Sequence, residues 1–166
     1  DAEAYADESG YSVSMSDNGN IVAIGAYLND GINGENSGHV RVHQWSGLNW
    51  VPLGDDIDGE AENDQSGYSV SLSSDGTIVA IGAVGNNANG IYAGHVRVYQ
   101  YASGSWTQLG SDLDGEAAGD LSGYATSLSN DGTILAIGAY GNDGNGNNAR
   151  EKSDENFLNN NVISSS

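Results

Sequence analysis

The sequence predicts an all-β fold built of β-propeller-type blades, each with four antiparallel strands. About two and a half repeats of 56–57 residues are present, so the ring is incomplete in one chain. Three observations predict this. A phrase close to GYSVSLSSDGTIVAIGA occurs at 10–26, 67–83 and 123–139. The first strand, as in YSVSLS, alternates apolar and small polar residues at period two ahead of a Gly-containing turn. Neither full repeat shows helical periodicity, and self-similarity at this period marks stacked or radially arranged units.

The elements follow in order within each unit. In YSVSLS, Val70 and Leu72 alternate with serines, the pattern of a strand with one covered face. Ser-Asp-Gly at 74–76 is a tight-turn sequence, as are Asp17-Asn18-Gly19 and Asn130-Asp131-Gly132. The next segment, TIVAIGA, is β-branched and continuously apolar, which predicts a strand buried on both faces. Its closing Gly-Ala (25–26, 82–83, 138–139) is expected where sheets crowd together and a larger side chain would clash. A Gly/Asn-rich loop then leads to GHVRVHQW (38–45) or GHVRVYQY (94–101), a third strand. The fourth is expected around Trp106 to Leu109 and its counterpart near Trp50, with both tryptophans packing between neighbouring blades. Tyr11, Tyr68 and Tyr124 follow the first glycine of each unit and are read as architectural, since every unit carries them.

This layout divides the chain into blade 1 (1–57), blade 2 (58–113), a partial blade 3 (114–149) and a divergent segment (150–166) read as a disordered tail. Adding one period to GHVRVYQY points to 150–157, where REKSDENF stands instead. Closed propellers typically use four to eight blades because open radial sheets leave exposed edges. The chain is therefore expected to be a piece of a longer array or to assemble with copies of itself, as a homo-oligomer or filament.

Composition narrows the partners. Four Lys and Arg face 23 Asp and Glu, a formal net charge of −19. Such a surface repels phosphate backbones, so nucleic acid is an unfavourable partner. No apolar run is long enough to cross a bilayer as a helix. There is no cysteine, hence no disulfide and no thiolate site. No Gly-x-Ser-x-Gly elbow or phosphate loop is present. The carboxylates recur from unit to unit, where a catalytic pair would be unique, so no enzyme activity and no catalytic or cofactor-binding residue is expected. His39 and His95 hold the same repeat position and read as structural.

Oxygen ligands for a hard cation are the remaining candidate chemistry. Asp58, Glu60 and Asp64 fall within seven residues, as do Asp114, Glu116 and Asp120. Asp143, Asn145 and Asn147 alternate with glycines, loosely like the start of a calcium loop, but no suitably spaced Glu follows. Against calcium stands the simpler reading that Asp and Asn cap turns and tolerate left-handed backbone.

The repeat grammar resembles a known family. Gly10-Tyr11-Ser12-Val13 with Gly25-Ala26, Gly67-Tyr68-Ser69-Val70 with Gly82-Ala83, and the weaker Gly123-Tyr124-Ala125-Thr126 with Gly138-Ala139 resemble the FG-GAP repeat. That repeat builds the β-propeller at the N-terminal end of integrin α subunits and occurs in many secreted proteins. The resemblance spans about residues 1–149. It implies an extracellular or cell-surface module for recognition or adhesion, binding protein or glycan through blade-connecting loops such as 27–37 and 84–93. A structural, self-assembling protein without a small ligand is the alternative. The family's Phe is replaced by Ser9, Ser66 or Ser122, and the Pro of its GAP triplet by Tyr27, Val84 or Tyr140. Its calcium loop between the first two strands has shrunk to SDNGN, SSDGT and SNDGT. One carboxylate in a tight turn cannot supply six or more oxygens.

Overall fold

The computed structural model describes residues 6–142, all strands, turns and loops. In the first sheet β1 (Ser12–Met15), β2 (Ile21–Ala26) and β3 (His39–Trp45) run antiparallel in chain order. Two short strands, β4 (Trp50–Pro52) and β5 (Ile57–Asp58), share the far edge of β3. The second sheet repeats this with β6 (Ser66–Leu72), β7 (Ile78–Ala83), β8 (His95–Ala102), β9 (Ser105–Gln108) and β10 (Leu113–Asp114). A third hairpin pairs β11 (Ser122–Leu128) with β12 (Leu135–Ala139). The antiparallel blades are those the repeats predict, and the described sheets close no ring. Among the described residues no helix is long and apolar enough to cross a membrane.

The fourth strand is the element that differs. It is two strands rather than one, because Leu53 and Leu109 turn into the cores while their N–H groups still donate to Val42 and Val98 carbonyls. The chain then leaves the ladder and returns four or five residues later to pair with the start of β3 or β8.

Two apolar layers hold the sheets face to face. Between the first and second lie Ile21, Ala23, Val40, Val42 and Ile57 on one side and Val70, Leu72, Val79 and Ile81 on the other. Between the second and third lie Ala80, Val96 and Val98 against Ile137. β7 is thus buried on both faces, as its continuous apolar sequence predicts.

The serines of the first strand behave differently from the simple alternation rule. In β6 the serine face is covered too, with Ser69 buried against the third hairpin. Ser12 and Ser69 donate their hydroxyls to the carbonyls of Gly67 and Gly123 in the next sheet, each at 2.7 Å. Ser14 and Ser71 accept from the N–H groups of Leu72 and Leu128, each at 2.9 Å. Those N–H groups belong to the edge strands β6 and β11, so each blade's serines satisfy the exposed edge of the next. Small hydroxyl side chains allow the approach that aliphatic ones would block.

The Gly-Ala expectation holds for the same reason. A Cβ on Gly25 or Gly82 would overlap the Gly67 or Gly123 carbonyl of the following blade. Gly138 has no such neighbour within the described residues; its Cβ would meet only Ala125 of its own hairpin.

Candidate functional site: the loop end of the blades

One end of the blades carries the long β2–β3 and β7–β8 loops together with the segments joining successive sheets. There Gly67 and Gly123 take positive φ values of 86° and 85°. Each lies at a register shift that loops two residues out of the ladder with its partner strand. This irregularity frees the following tyrosine from the strand pairing.

The freed rings meet in a row. Tyr11 and Tyr68 have centroids 5.0 Å apart, and Tyr68 and Tyr124 are 5.2 Å apart. Tyr27 joins at 4.4 Å from Tyr11, and Tyr140 stacks on Tyr124 at 4.9 Å. Tilted and offset contacts at these distances are favourable. Burial, then hydrogen bonding with Tyr11 and Tyr124, raises the Tyr68 hydroxyl above the usual phenol range. The outer members stay accessible, Tyr11 at 50% and Tyr140 at 75%. Tyr27 and Tyr140 occupy the position of the family's proline, so the departure from the GAP triplet is what extends the row. At the same end the loop tips expose Ile32, Ile91 and Tyr92.

The candidate ligands fall into several environments. Asp64 and Asp120 turn inward and are buried. Asp64 Oδ2 accepts from the Ala61 N–H at 3.1 Å and from Asn86 Nδ2 at 3.2 Å, tying the linking segment to the next loop. Asp120 accepts from the Ala117 N–H at 2.8 Å. Glu60 pairs with buried Arg97 at 3.1 Å, and the carbonyl of Asp58 accepts from the same guanidinium at 2.9 Å. Glu116 is exposed, and its carbonyl accepts from Asn89. Asp114 faces His95, with Oδ1 3.9 Å from Nδ1. The two acidic triplets are therefore not gathered as triplets. Instead Glu60 meets His95 and Asp112, two residues outside both, with one ligand atom of each mutually within 4.8 Å. Asp143, Asn145, Asn147 and the divergent segment 150–166 lie outside the described residues.

Sequence reasoning did not single out Asp112. Its signal was available in the repeat, because Asp56 occupies the equivalent place one period earlier. There Arg41 Nε lies 2.9 Å from Asp56 Oδ2, itself 4.0 Å from His39 Nδ1.

At the opposite end the shortened turns are closed by their own acid. Asp75 Oδ1 accepts from the Ser73 hydroxyl at 2.7 Å and from the Thr77 N–H and hydroxyl at 2.9 and 2.8 Å. Asp131 repeats this with Ser129 and Thr133, and Asn18 supplies the same oxygen in the first blade. These oxygens organise the turn.

Trp106 packs as expected between blades, donating Nε1–H to the Leu53 carbonyl at 2.7 Å. Beside it a recess of about 200 Å³ is lined by Asp55, Asp56, Asp58 and Tyr99, smaller than pockets that enclose drug-sized ligands. Trp50 has no neighbouring blade among the described residues; it meets Trp45 at 5.6 Å and is 42% exposed.

Comparison with known proteins agrees with this geometry. Residues 1–42 match the family model of the FG-GAP repeat, and the described antiparallel sheets are propeller-type blades. No curated protein matches the sequence. Among solved structures, a chain of the complex of KlAtg21 with the coiled-coil of AgAtg16 superposes with a TM-score of 0.54 at 14% identity. The match covers 78% of this chain and 36% of that one, so this chain spans about a third of its length. At that identity the likeness is one of fold.

Proposed function

We propose that this chain is a non-catalytic recognition or adhesion module of an extracellular or cell-surface protein, binding protein or glycan through the loop end of its blades. The observation that carries this reading is the row of five tyrosines at that end, accompanied by exposed Ile32, Ile91 and Tyr92 at the loop tips. Rigid aromatic rings present apolar faces with polar rims, which suits stacking on sugars and anchoring at protein interfaces. The FG-GAP repeat supports the extracellular setting, and the surrounding carboxylates favour neutral or basic partners.

The test is binding of the purified chain to a glycan array and to a panel of immobilised extracellular-matrix proteins. Tyr124→Ala and Ile91→Ser are expected to weaken any hit about tenfold or more, whereas Leu48→Ser at the opposite end leaves it unchanged. Absence of any hit, or equal loss from Leu48→Ser, would overturn the reading.

A specific observation also favours self-assembly. Val13 and Met15, on a face of the first sheet that no blade among the described residues covers, are 63% and 55% exposed, while their counterparts Val70 and Leu72 are buried by a neighbouring blade. A second copy covering that face would show as concentration-dependent mass in sedimentation, abolished by Met15→Lys. A monomer at all concentrations removes this alternative.

A further inference from the structure

His95 is the most unusual polar group in the described chain. Its residue is 1% exposed, and neither Nδ1 nor Nε2 has a hydrogen-bond partner. Leaving two polar atoms buried without partners is costly, and such atoms point to a missing ligand. Nδ1 is aimed at two carboxylates, lying 3.9 Å from Asp112 Oδ2 and 3.9 Å from Asp114 Oδ1. Those distances are too long for hydrogen bonds but suit groups facing a common centre. Glu60, from the segment that joins the two blades, gathers with His95 and Asp112 so that one ligand atom of each lies within 4.8 Å of the others, and Asp114 flanks this group beside His95.

The surrounding residues hold this set in place. Gln108 Nε2 donates to Asp112 Oδ1 at 2.6 Å, leaving Oδ2 directed at His95. Arg97, buried beneath, holds Glu60 and the Asp58 carbonyl. Fixing one carboxylate oxygen so that the other can ligate is how outer partners orient metal ligands. Blade 1 offers an internal comparison, since the carboxylate equivalent to Asp112 already carries a cation there, the Arg41 guanidinium. In blade 2 the equivalent arginine is drawn to Glu60 instead.

We propose that Glu60, His95 and Asp112, with Asp114 flanking His95 as a fourth ligand, form a binding site for a borderline first-row divalent cation, of which Zn²⁺ is the type. An imidazole nitrogen with carboxylate oxygens suits zinc, whereas calcium and magnesium take oxygen sets. Burial, followed by the nearby Arg97 charge, lowers the His95 pKa, which keeps the lone pair available. Tetrahedral bonds of roughly 2.0–2.2 Å place ligand atoms about 3.4 Å apart. From separations of 3.9 Å and up to 4.8 Å, the ligand atoms must therefore close by roughly 0.5 to 1.4 Å. All three carboxylates are partly exposed, so their side chains can move. A bound ion would pin the inter-blade segment carrying Glu60 to β8 and β10. The site lies at the same end of the blades but shares no residue with the tyrosine row or the exposed loop tips, and it does not rest on the recognition role proposed above.

The experiment is calorimetric titration of the chelator-treated full chain with Zn²⁺ and, separately, Ca²⁺, alongside thermal melts. One zinc per chain is expected, at least about a hundredfold tighter than calcium, with a melting rise of roughly 4 °C or more at saturation. Asp112→Asn keeps shape and exposure and is expected to lose about tenfold or more in zinc affinity, while Asp56→Asn in blade 1 loses none. Nitrogen NMR of the histidines should show the His95 Nδ1 resonance displaced by zinc, a change that unfolding would not mimic. Absence of saturable zinc binding, equal affinity for calcium, or binding insensitive to Asp112→Asn each overturns the proposal. A histidine shift confined to His39 or His43 does the same.

Discussion

Ser69 concentrates the chemistry that joins one blade to the next. Its hydroxyl reaches the Gly123 carbonyl at 2.7 Å across the interface. Ser69→Ala removes that donor and leaves a buried carbonyl with one fewer partner. The expected cost is about 1 kcal/mol, read as a lower urea midpoint with an unchanged slope. Gly82, directly opposite, has no comparable tolerance. Its Cβ would overlap the same carbonyl, so Gly82→Ala should cost about 2–3 kcal/mol or more as the two sheets are forced apart. In the third copy Ala125 takes the place of the serine, so that hydroxyl donor is absent there. The alternating serines were legible as a strand pattern. Their pairing with the next blade was not, because a period-two rule records which face a residue occupies and says nothing of what covers it.

Among the elements, the β1–β2, β6–β7 and β11–β12 turns show how one motif is reused with different charge. Hydrogen bonds from the Ser129 hydroxyl and then from Thr133 hold the Asp131 carboxyl at about 2. In the unfolded chain the same acid titrates near 3.9. The unfolded state therefore binds the proton first, and the stability this group contributes is complete above roughly pH 4 and lost as pH falls toward about 2. Asn18 makes the corresponding bonds with a neutral amide oxygen. Asp131→Asn should accordingly preserve the fold at neutral pH and flatten the acid limb of the melting curve over that window. Carboxyl-carbon NMR titration of the parent chain measures the depressed value directly.

For the whole molecule, the net charge of −19 is spread over blades held by thin apolar layers. Self-repulsion of that size opposes the compact state and is screened by salt. Raising ionic strength from about 0.02 to 0.5 M with sodium chloride should increase the melting temperature. A fall would show that attractive surface pairs, such as Arg97 with Glu60, outweigh the repulsion.

The amino-acid sequence alone determined the all-β class, the 56–57-residue repeat, the turns and the crowding at Gly25 and Gly82. Each is a local pattern written in three copies, and local patterns need no knowledge of distant contacts. The split fourth strand, the tyrosine row and the meeting of Glu60, His95 and Asp112 were decided only by tertiary structure. They join residues from different blades or from loops whose path depends on the sheets they cross. The acidic triplets illustrate the difference: proximity in sequence suggested shared ligands, but the linking segment turns Asp64 and Asp120 inward to hold its own backbone. It leaves Glu60 facing a histidine 35 positions away, because packing one sheet on the next brings β8 under the segment that enters the blade.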